Sequence, residues 1–214
     1  MKIIASIYQA ALLTAAFVLL ATDIVLAAPS EEHQLAQLAS LPPGYSASEL
    51  RMIGTFGDSI VINHTGTVEQ IFSQLSIEHP HVDFSNTNTA GVADNANIGK
   101  RAHSDVNCIP VQGQNWNPAK IWAISSGIDY LNHVKAQCFV GPYSCVRISC
   151  SYNSGIHLCN NNDYLLSHGC GDIATYASAI LDKCQYYKLL SSSGTGGQAW
   201  DTENFNICVF AERC

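Results

Sequence analysis

The sequence has 214 residues, of which 47% are hydrophobic and 13% charged, a composition typical of a globular protein rather than of a disordered tail or a fibrous repeat. Its formal charge of −7 comes from 17 acidic and 10 basic residues. Neither the acidic nor the basic residues form a long run, which argues against a basic nucleic-acid surface and a polybasic membrane patch. We therefore expect no nucleic-acid partner.

The first segment predicts a secretory signal peptide over residues 1–27. Met1 and Lys2 give a short basic start, residues 10–20 (AALLTAAFVLL) form an apolar run without a charged residue, and Ala27 is the small residue that a signal peptidase needs. A membrane anchor is the alternative, but a spanning helix requires about 20 apolar residues, and Asp23 follows soon after the apolar run. We expect a secreted, extracellular protein without stable membrane insertion.

Residues 28–101 are predicted to be a propeptide with a small folded unit. Residues 51–63 (RMIGTFGDSIVIN) predict two short strands around a Gly-Asp turn, and residues 68–77 (VEQIFSQLSI) predict an amphipathic helix. We expect this unit to keep the rest of the chain inactive or to help it fold. Asn63, in the sequence Asn-His-Thr, is a glycosylation acceptor, and its glycan would leave with the propeptide.

The dibasic pair Lys100-Arg101 marks the predicted start of the mature domain, residues 102–214. The residues before it are small and polar (SNTNTAGVADNANIG), a composition that favours access by a protease. The pair also separates a stretch without cysteine from the part of the chain that holds all nine. We therefore expect cleavage by a kexin-type protease.

The mature domain begins with a predicted helix and hairpin. Asn117 is a favourable N-cap and Pro118 suits the first helical position, so the helix is expected to start there and to run to about Val134. Its apolar residues recur at helical spacing. Strands are predicted at 145–150 and 156–159, with an Asn-Ser-Gly turn between them.

The same order of elements recurs further along the chain. Asp172 is predicted to cap a second helix, and a flexible Ser/Gly-rich turn at 191–197 leads to strands at 198–200 and 206–211. A duplicated helix-strand-strand unit favours an α+β sandwich with one antiparallel sheet and two helices on one face. Disulfides are expected to staple this small core, each adding about 2–4 kcal/mol.

Cysteine is confined to the second half of the sequence, where the density indicates a disulfide framework in a secreted chain. The total of nine is odd, so one thiol is expected to be free, paired to another chain or bridged to a small molecule. Cys145 and Cys150 should not pair with each other, because an odd step along a strand puts them on opposite faces. The other pairings stay open. No C-x-x-C pair of the zinc type occurs, so we predict no metal and no other cofactor.

Several blocks of the mature domain are specific enough to compare with known families. The most specific is CVRISCSYNSGIHLC at 145–159, accompanied by NCIPV at 107–111, Gly141-Pro142, Asp182-Lys183-Cys184, Gly197-Gln198 and Cys214. These blocks resemble a family of small cysteine-rich proteins secreted by filamentous fungi. In element order and cysteine placement the domain is also similar, more loosely, to smut-fungus killer toxins and to necrosis-inducing-factor effector domains. The resemblance implies an effector or toxin that acts by binding a host or competitor cell target.

The resemblance also divides the cysteines into two groups. The framework it implies contains Cys108, Cys145, Cys150, Cys159, Cys184 and Cys214. Cys138, Cys170 and Cys208 are additional to that pattern. It supplies no catalytic residues.

Histidines leave one enzymatic alternative, a secreted hydrolase such as a ribonuclease that uses two histidines for acid-base catalysis. The candidates are His103, His133, His157 and His168, with Asp129, Asp172 and Glu203 as acidic partners. This alternative requires a pocket that joins at least two of the histidines to an acid or a lysine. Since no nucleophile elbow, zinc-protease helix or phosphate-binding loop is present, we predict a non-enzymatic binding protein.

Tryptophan side chains are suited to stacking on sugars, and the mature domain holds Trp116, Trp122 and Trp200. Trp122 lies inside the first predicted helix and is expected to pack in the core. Glycan binding is therefore kept only as a minor alternative to binding through the disulfide-stapled surface.

Overall fold

A computed structural model describes residues 41–57, 59–84, 103–188 and 191–214. The predicted signal peptide and the Lys100-Arg101 pair lie outside these residues. Residues 41–84 are here termed the N-terminal segment, and residues 103–214 the cysteine-rich part.

The N-terminal segment forms three strands and a helix, which are β1 (Ser46–Ser48), β2 (Arg51–Phe56), β3 (Ile60–Thr65) and α1 (Val68–Glu78). The predicted strand pair and amphipathic helix are confirmed. Gly57 has a φ of 59° in the β2–β3 turn, a conformation that glycine adopts without strain. Thr67 begins α1 with a capping box, because its side chain accepts from the Gln70 N–H while its own N–H donates to Gln70 Oε1 at 2.9 Å.

The cysteine-rich part begins with strands β4 (His103–Cys108) and β5 (Ala119–Lys120), followed by helix α2 (Ile121–Asn132). Strands β6 (Val134–Val140), β7 (Ser144–Ser151), β8 (Ser154–Asn160) and β9 (Leu166–Gly169) come next. Helix α3 (Cys170–Lys183) precedes β10 (Gln185–Lys188), β11 (Ser191–Thr195), β12 (Gly197–Asp201) and β13 (Phe205–Phe210). The predicted strands at 145–150, 156–159 and 198–200 lie within β7, β8 and β12, and the strand predicted at 206–211 corresponds to β13 except for Ala211. These strands and the second helix are confirmed.

Three local predictions need correction. Helix α2 starts later than Pro118, because the residues before it form β5 and pair with β11. The Ser/Gly-rich stretch predicted as a flexible turn forms β11 and pairs with β10 and β5. Asp172 lies in the first turn of α3 and Gly169 occupies the N-cap position.

The predicted single antiparallel sheet with two helices on one face is wrong, because the strands of the described residues form three sheets. The largest has six strands in the order β1-β7-β8-β13-β12-β4 and is mixed, since β1 runs parallel to β7. The others have the orders β3-β2-β6-β9 and β10-β11-β5. The physical reason is that the N-terminal segment pairs with the cysteine-rich part, adding one strand to the first sheet and two to the second.

One continuous apolar core joins the N-terminal segment to the cysteine-rich part. It also contains the apolar faces of α2 and α3. The ring centroids of Phe72 in α1 and Tyr130 in α2 lie 4.8 Å apart. The segment contributes Leu50, Met52, Phe56, Ile62, Val68, Ile71, Phe72, Leu75 and Phe84.

Four disulfides cross-link the cysteine-rich part, namely Cys108–Cys184, Cys138–Cys170, Cys145–Cys159 and Cys150–Cys214. Cys145 and Cys150 do not pair with each other, as predicted. The six cysteines of the implied framework pair only among themselves, and two of the additional three form the fourth bridge. Cys208 is free and buried. A framework of this density is typical of proteins from an oxidising compartment.

Candidate binding surface

Trp122 and Tyr152 form an exposed aromatic pair next to the β7–β8 turn. Their side chains are 51% and 65% exposed, and their ring centroids lie 4.4 Å apart in an edge-to-face arrangement. The exposed Lys120 holds its Nζ 5.9 Å from the centroid of Trp122 and 6.0 Å from that of Tyr152, within cation–π range. These three residues are here termed the aromatic patch. The prediction that Trp122 packs in the core is wrong.

The direction of Trp122 follows from the geometry of helix α2. The buried face of this helix contains Ile124, Ile128 and Leu131. A residue two positions from Ile124 lies about 200° away around a helix, so Trp122 points away from the core. This signal was present in the sequence, but placing the residue inside a helix was not enough to assign its face.

Tyr152 and Asn153 form the two-residue turn between β7 and β8, with φ values of 50° and 60°. Both values are positive, which is the signature of a type I′ hairpin turn. Asparagine adopts this conformation readily, whereas tyrosine there costs about 1–3 kcal/mol and persists only where the surroundings fix it. Tyr152 is therefore held in place against its own backbone preference.

Three interactions fix this turn. The Cys150–Cys214 disulfide anchors the end of β7, and the Glu212 N–H donates to the Asn153 carbonyl at 3.3 Å. The Lys120 N–H donates to Ser154 Oγ at 3.0 Å, which ties the start of α2 to β8. The rings of the aromatic patch are thus presented by a rigid support.

A buried ion cluster lies behind the turn. Glu212 accepts from Arg147 Nη2 at 2.8 Å and lies 2.6 Å from His157 Nε2. Burial alone would raise the pKa of Glu212, but the charges and hydrogen bonds of His157 and Arg147 outweigh it, and the pKa is lowered. The carboxylate fits over Gly155, where a Cβ would lie 1.7 Å from Glu212 Oε1.

Each candidate catalytic histidine with a described side chain has different partners. His157 is fully buried with Glu212, and its ring stacks on Phe210 at 4.9 Å. His168 lies 3.2 Å from Glu203 and 3.8 Å from Asp172. His133 Nδ1 lies 2.5 Å from the backbone carbonyl oxygen of Asp129. The side chain of His103 lies outside the part of the chain that the structure describes. Among the described contacts, none joins two histidines in one site.

A shallow groove of about 450 Å³ lies where the N-terminal segment meets the β6–β7 loop. Its lining includes Arg51 from the segment and Phe139, Pro142 and Leu165 from the cysteine-rich part. None of the candidate catalytic histidines lines it. The groove therefore follows the junction between the two parts.

Asn63 is exposed on β3, so it is accessible as a glycosylation acceptor. Across the part of the chain that is described, no group of three His, Cys, Asp or Glu side chains is placed to hold a metal ion. None of the helices described here combines the length and apolar character of a membrane span. A scan against models of known protein families, a search of curated proteins and a search of solved structures found no match. Function is therefore inferred from the aromatic patch and its support.

Proposed function

We propose that this protein is a secreted effector or killer-toxin-like factor that binds a host or competitor cell target through the aromatic patch. A kexin-type protease would release it from its precursor at Lys100-Arg101. The observation that carries the proposal is the fixed, exposed pair of Trp122 and Tyr152 beside Lys120. Exposed apolar patches mark interaction sites, and tryptophan and tyrosine dominate binding energy at interfaces.

The support of the aromatic patch favours binding for an entropic reason. Association loses affinity when side chains and loops must be ordered at the interface. Here the Cys150–Cys214 disulfide and the Glu212–Asn153 hydrogen bond already order the turn. The ring faces suit an apolar ring or side chain of the target, and the Lys120 ammonium suits an adjacent acidic or carbonyl oxygen.

Secretion is supported by the apolar start of the sequence and by the four disulfides. The effector or toxin role is supported by the sequence blocks between Asn107 and Cys214 that resemble secreted fungal proteins. The hydrolase alternative gains no support from the described contacts, since His157 is fully buried and His168 has its own acidic neighbours.

The experiment is a binding assay of the purified secreted protein on plant, insect and microbial cells. Trp122→Ala removes the larger ring, and Tyr152→Asn removes the other ring while keeping a residue that suits the turn. Loss of an interface hot spot is expected to weaken binding roughly 10- to 30-fold. Tyr164→Ala is the matched control, because Tyr164 is 55% exposed and lies outside the aromatic patch.

Unchanged binding by Trp122→Ala, or an equal loss with Tyr164→Ala, would contradict the role of the aromatic patch. Failure of the wild-type protein to bind any of these cells would contradict the proposal as a whole. RNA cleavage that disappears in a His168→Ala variant would favour the hydrolase alternative instead.

A further inference from the structure

The N-terminal segment is paired with the cysteine-rich part along a full strand. Strand β2 lies between β3 and β6, and its residues from Arg51 to Phe56 each face a residue of β6. At Gly54 the two backbones approach so closely that a Cβ would lie 2.2 Å from the Lys135 carbonyl oxygen. Only glycine fits this position, so the pairing of β2 with β6 is specific.

The same segment fills the common core with side chains that are almost completely buried. Met52, Ile62, Ile71 and Leu75 have no exposed surface. Dissociation of the segment would return them to water and would uncover Tyr130 of α2, whose ring packs against Phe72 with 4.8 Å between the centroids. Because apolar burial is the main favourable term in association, the free energy of burying these side chains favours the bound state of the segment.

A polar contact connects the segment directly to β7, the strand that leads into the turn with Tyr152. Glu69, in the first turn of α1, accepts from Ser149 Oγ at 2.5 Å and from the Cys150 N–H at 3.1 Å. Cys150 lies two residues before Tyr152 and is disulfide-bonded to Cys214. The segment therefore supports the end of β7, next to the turn that presents Tyr152.

The proposed cut at Lys100-Arg101 falls outside residues 41–84 and 103–188, so it breaks none of these contacts. We infer that residues 41–84 remain bound after cleavage as a second, noncovalent chain, and that the processed protein has two chains. The inference rests on the proposed cleavage. The segment contains no cysteine, so no disulfide holds it. A glycan at Asn63 would then stay on the processed protein instead of leaving with a propeptide.

The experiment compares native and denatured masses of the secreted protein. The native protein is separated by size exclusion, and the same fraction is then denatured without reductant for intact-mass measurement. We expect one native peak that gives two masses, one for a chain containing residues 41–84 and one for the chain starting at Ala102. A native peak that contains only the chain from Ala102 would overturn the inference.

An uncleaved chain in both measurements would contradict the proposed processing. Cutting that chain in vitro with a kexin-type protease then tests retention separately. An Arg101→Gln variant provides the uncleaved reference mass.

Variants of β2 test whether the observed pairing is responsible. Gly54→Val introduces a side chain at the close approach and is expected to abolish co-elution of the segment after cleavage. Thr55→Val is the matched control, since it places the same residue at the next position, and it should co-elute as the wild type does. If Gly54→Val prevents secretion, Glu69→Gln tests the contact more mildly, with an expected rise in the dissociation constant on the order of tenfold. Wild-type retention in both Gly54→Val and Glu69→Gln would show that the observed β2–β6 pairing and the Glu69 contact are not what holds the segment.

Discussion

Glu212 shows at the scale of a single residue how an acidic side chain is tolerated in this interior. Its side chain is 3% exposed, yet both carboxylate oxygens are engaged, one by Arg147 and one by His157. The absence of a side chain at Gly155 provides the space. A buried carboxylate is stable only when it is paired in this way.

The lowered pKa of Glu212 predicts acid sensitivity. A carboxyl group whose pKa is lower in the folded state stabilises the fold above its ordinary value of 4.5, and this contribution is lost as the pH falls through the lowered value. Glu212→Gln should therefore be about 3–5 kcal/mol less stable at pH 7. It should also lose less stability than the wild type as the pH falls below 4.5.

Urea unfolding at pH 7 and at acidic pH, with the disulfides intact, measures both effects. Asp182→Asn is the control, because Asp182 lies on the exposed side of α3 and its replacement should change stability by less than about 0.5 kcal/mol. Equal acid dependence in the wild type and Glu212→Gln would show that Glu212 is not responsible.

Among the elements, helix α1 illustrates what local sequence patterns can establish. Its apolar spacing and the Thr67-to-Gln70 capping box are both local signals, so its position was predictable to within a residue. The turn residues Asn153, Ser154 and Gly155, which predict the β7–β8 hairpin, are an equally local signal. Strand β6 has a buried side chain at every second position, which is the pattern of a strand. Its first residue, Val134, nevertheless coincides with the end of the helix that the sequence predicts, because β6 follows α2 almost directly.

Sheet membership was not predictable from these patterns. Ser46 in β1 faces Ser144 in β7, and Arg51 in β2 faces Phe139 in β6. No local periodicity encodes partners so distant in sequence, and a dibasic pair between them favoured two separate units. The Trp122–Tyr152 contact was missed for the same reason, although the outward direction of Trp122 was encoded in its helical position.

Thr67→Ala tests the contribution of the capping box of α1. Loss of an N-cap side chain is expected to lower the free energy of unfolding by about 1 kcal/mol. Ser73→Ala is a control in the same helix, because Ser73 is exposed in its interior and alanine is the better helix former there. Chemical denaturation of both variants measures the difference, and a Thr67→Ala variant as stable as Ser73→Ala would contradict the capping role.

At the scale of the whole molecule, the reactivity of the buried thiol of Cys208 measures how readily the core opens. Burial raises the pKa of its thiol, against a smaller lowering by the hydrogen bond with Gln198. Because the thiolate is the reactive form, a buried thiol with a raised pKa is inert. Its reactivity therefore depends on global unfolding.

Alkylation followed by intact-mass measurement is expected to find no adduct on the native protein. After denaturation without reductant it should find one adduct, on Cys208. An adduct on the native protein would mean that the core around β13 opens readily. No adduct after denaturation would mean that this cysteine is bonded to another group.

The pairing of β1 with β7 and of β2 with β6 has a consequence for any fragment that begins at Ala102. In such a fragment one side of β7 and one side of β6 would have unpaired backbone N–H and C=O groups, and bare strand edges recruit strands from other molecules. Two such edges on different sheets allow each copy to pair with two neighbours, an arrangement that extends into a filament unless the rotation between copies closes a ring. The expected fate of the shortened fragment is therefore growth into open-ended filaments rather than a soluble monomer.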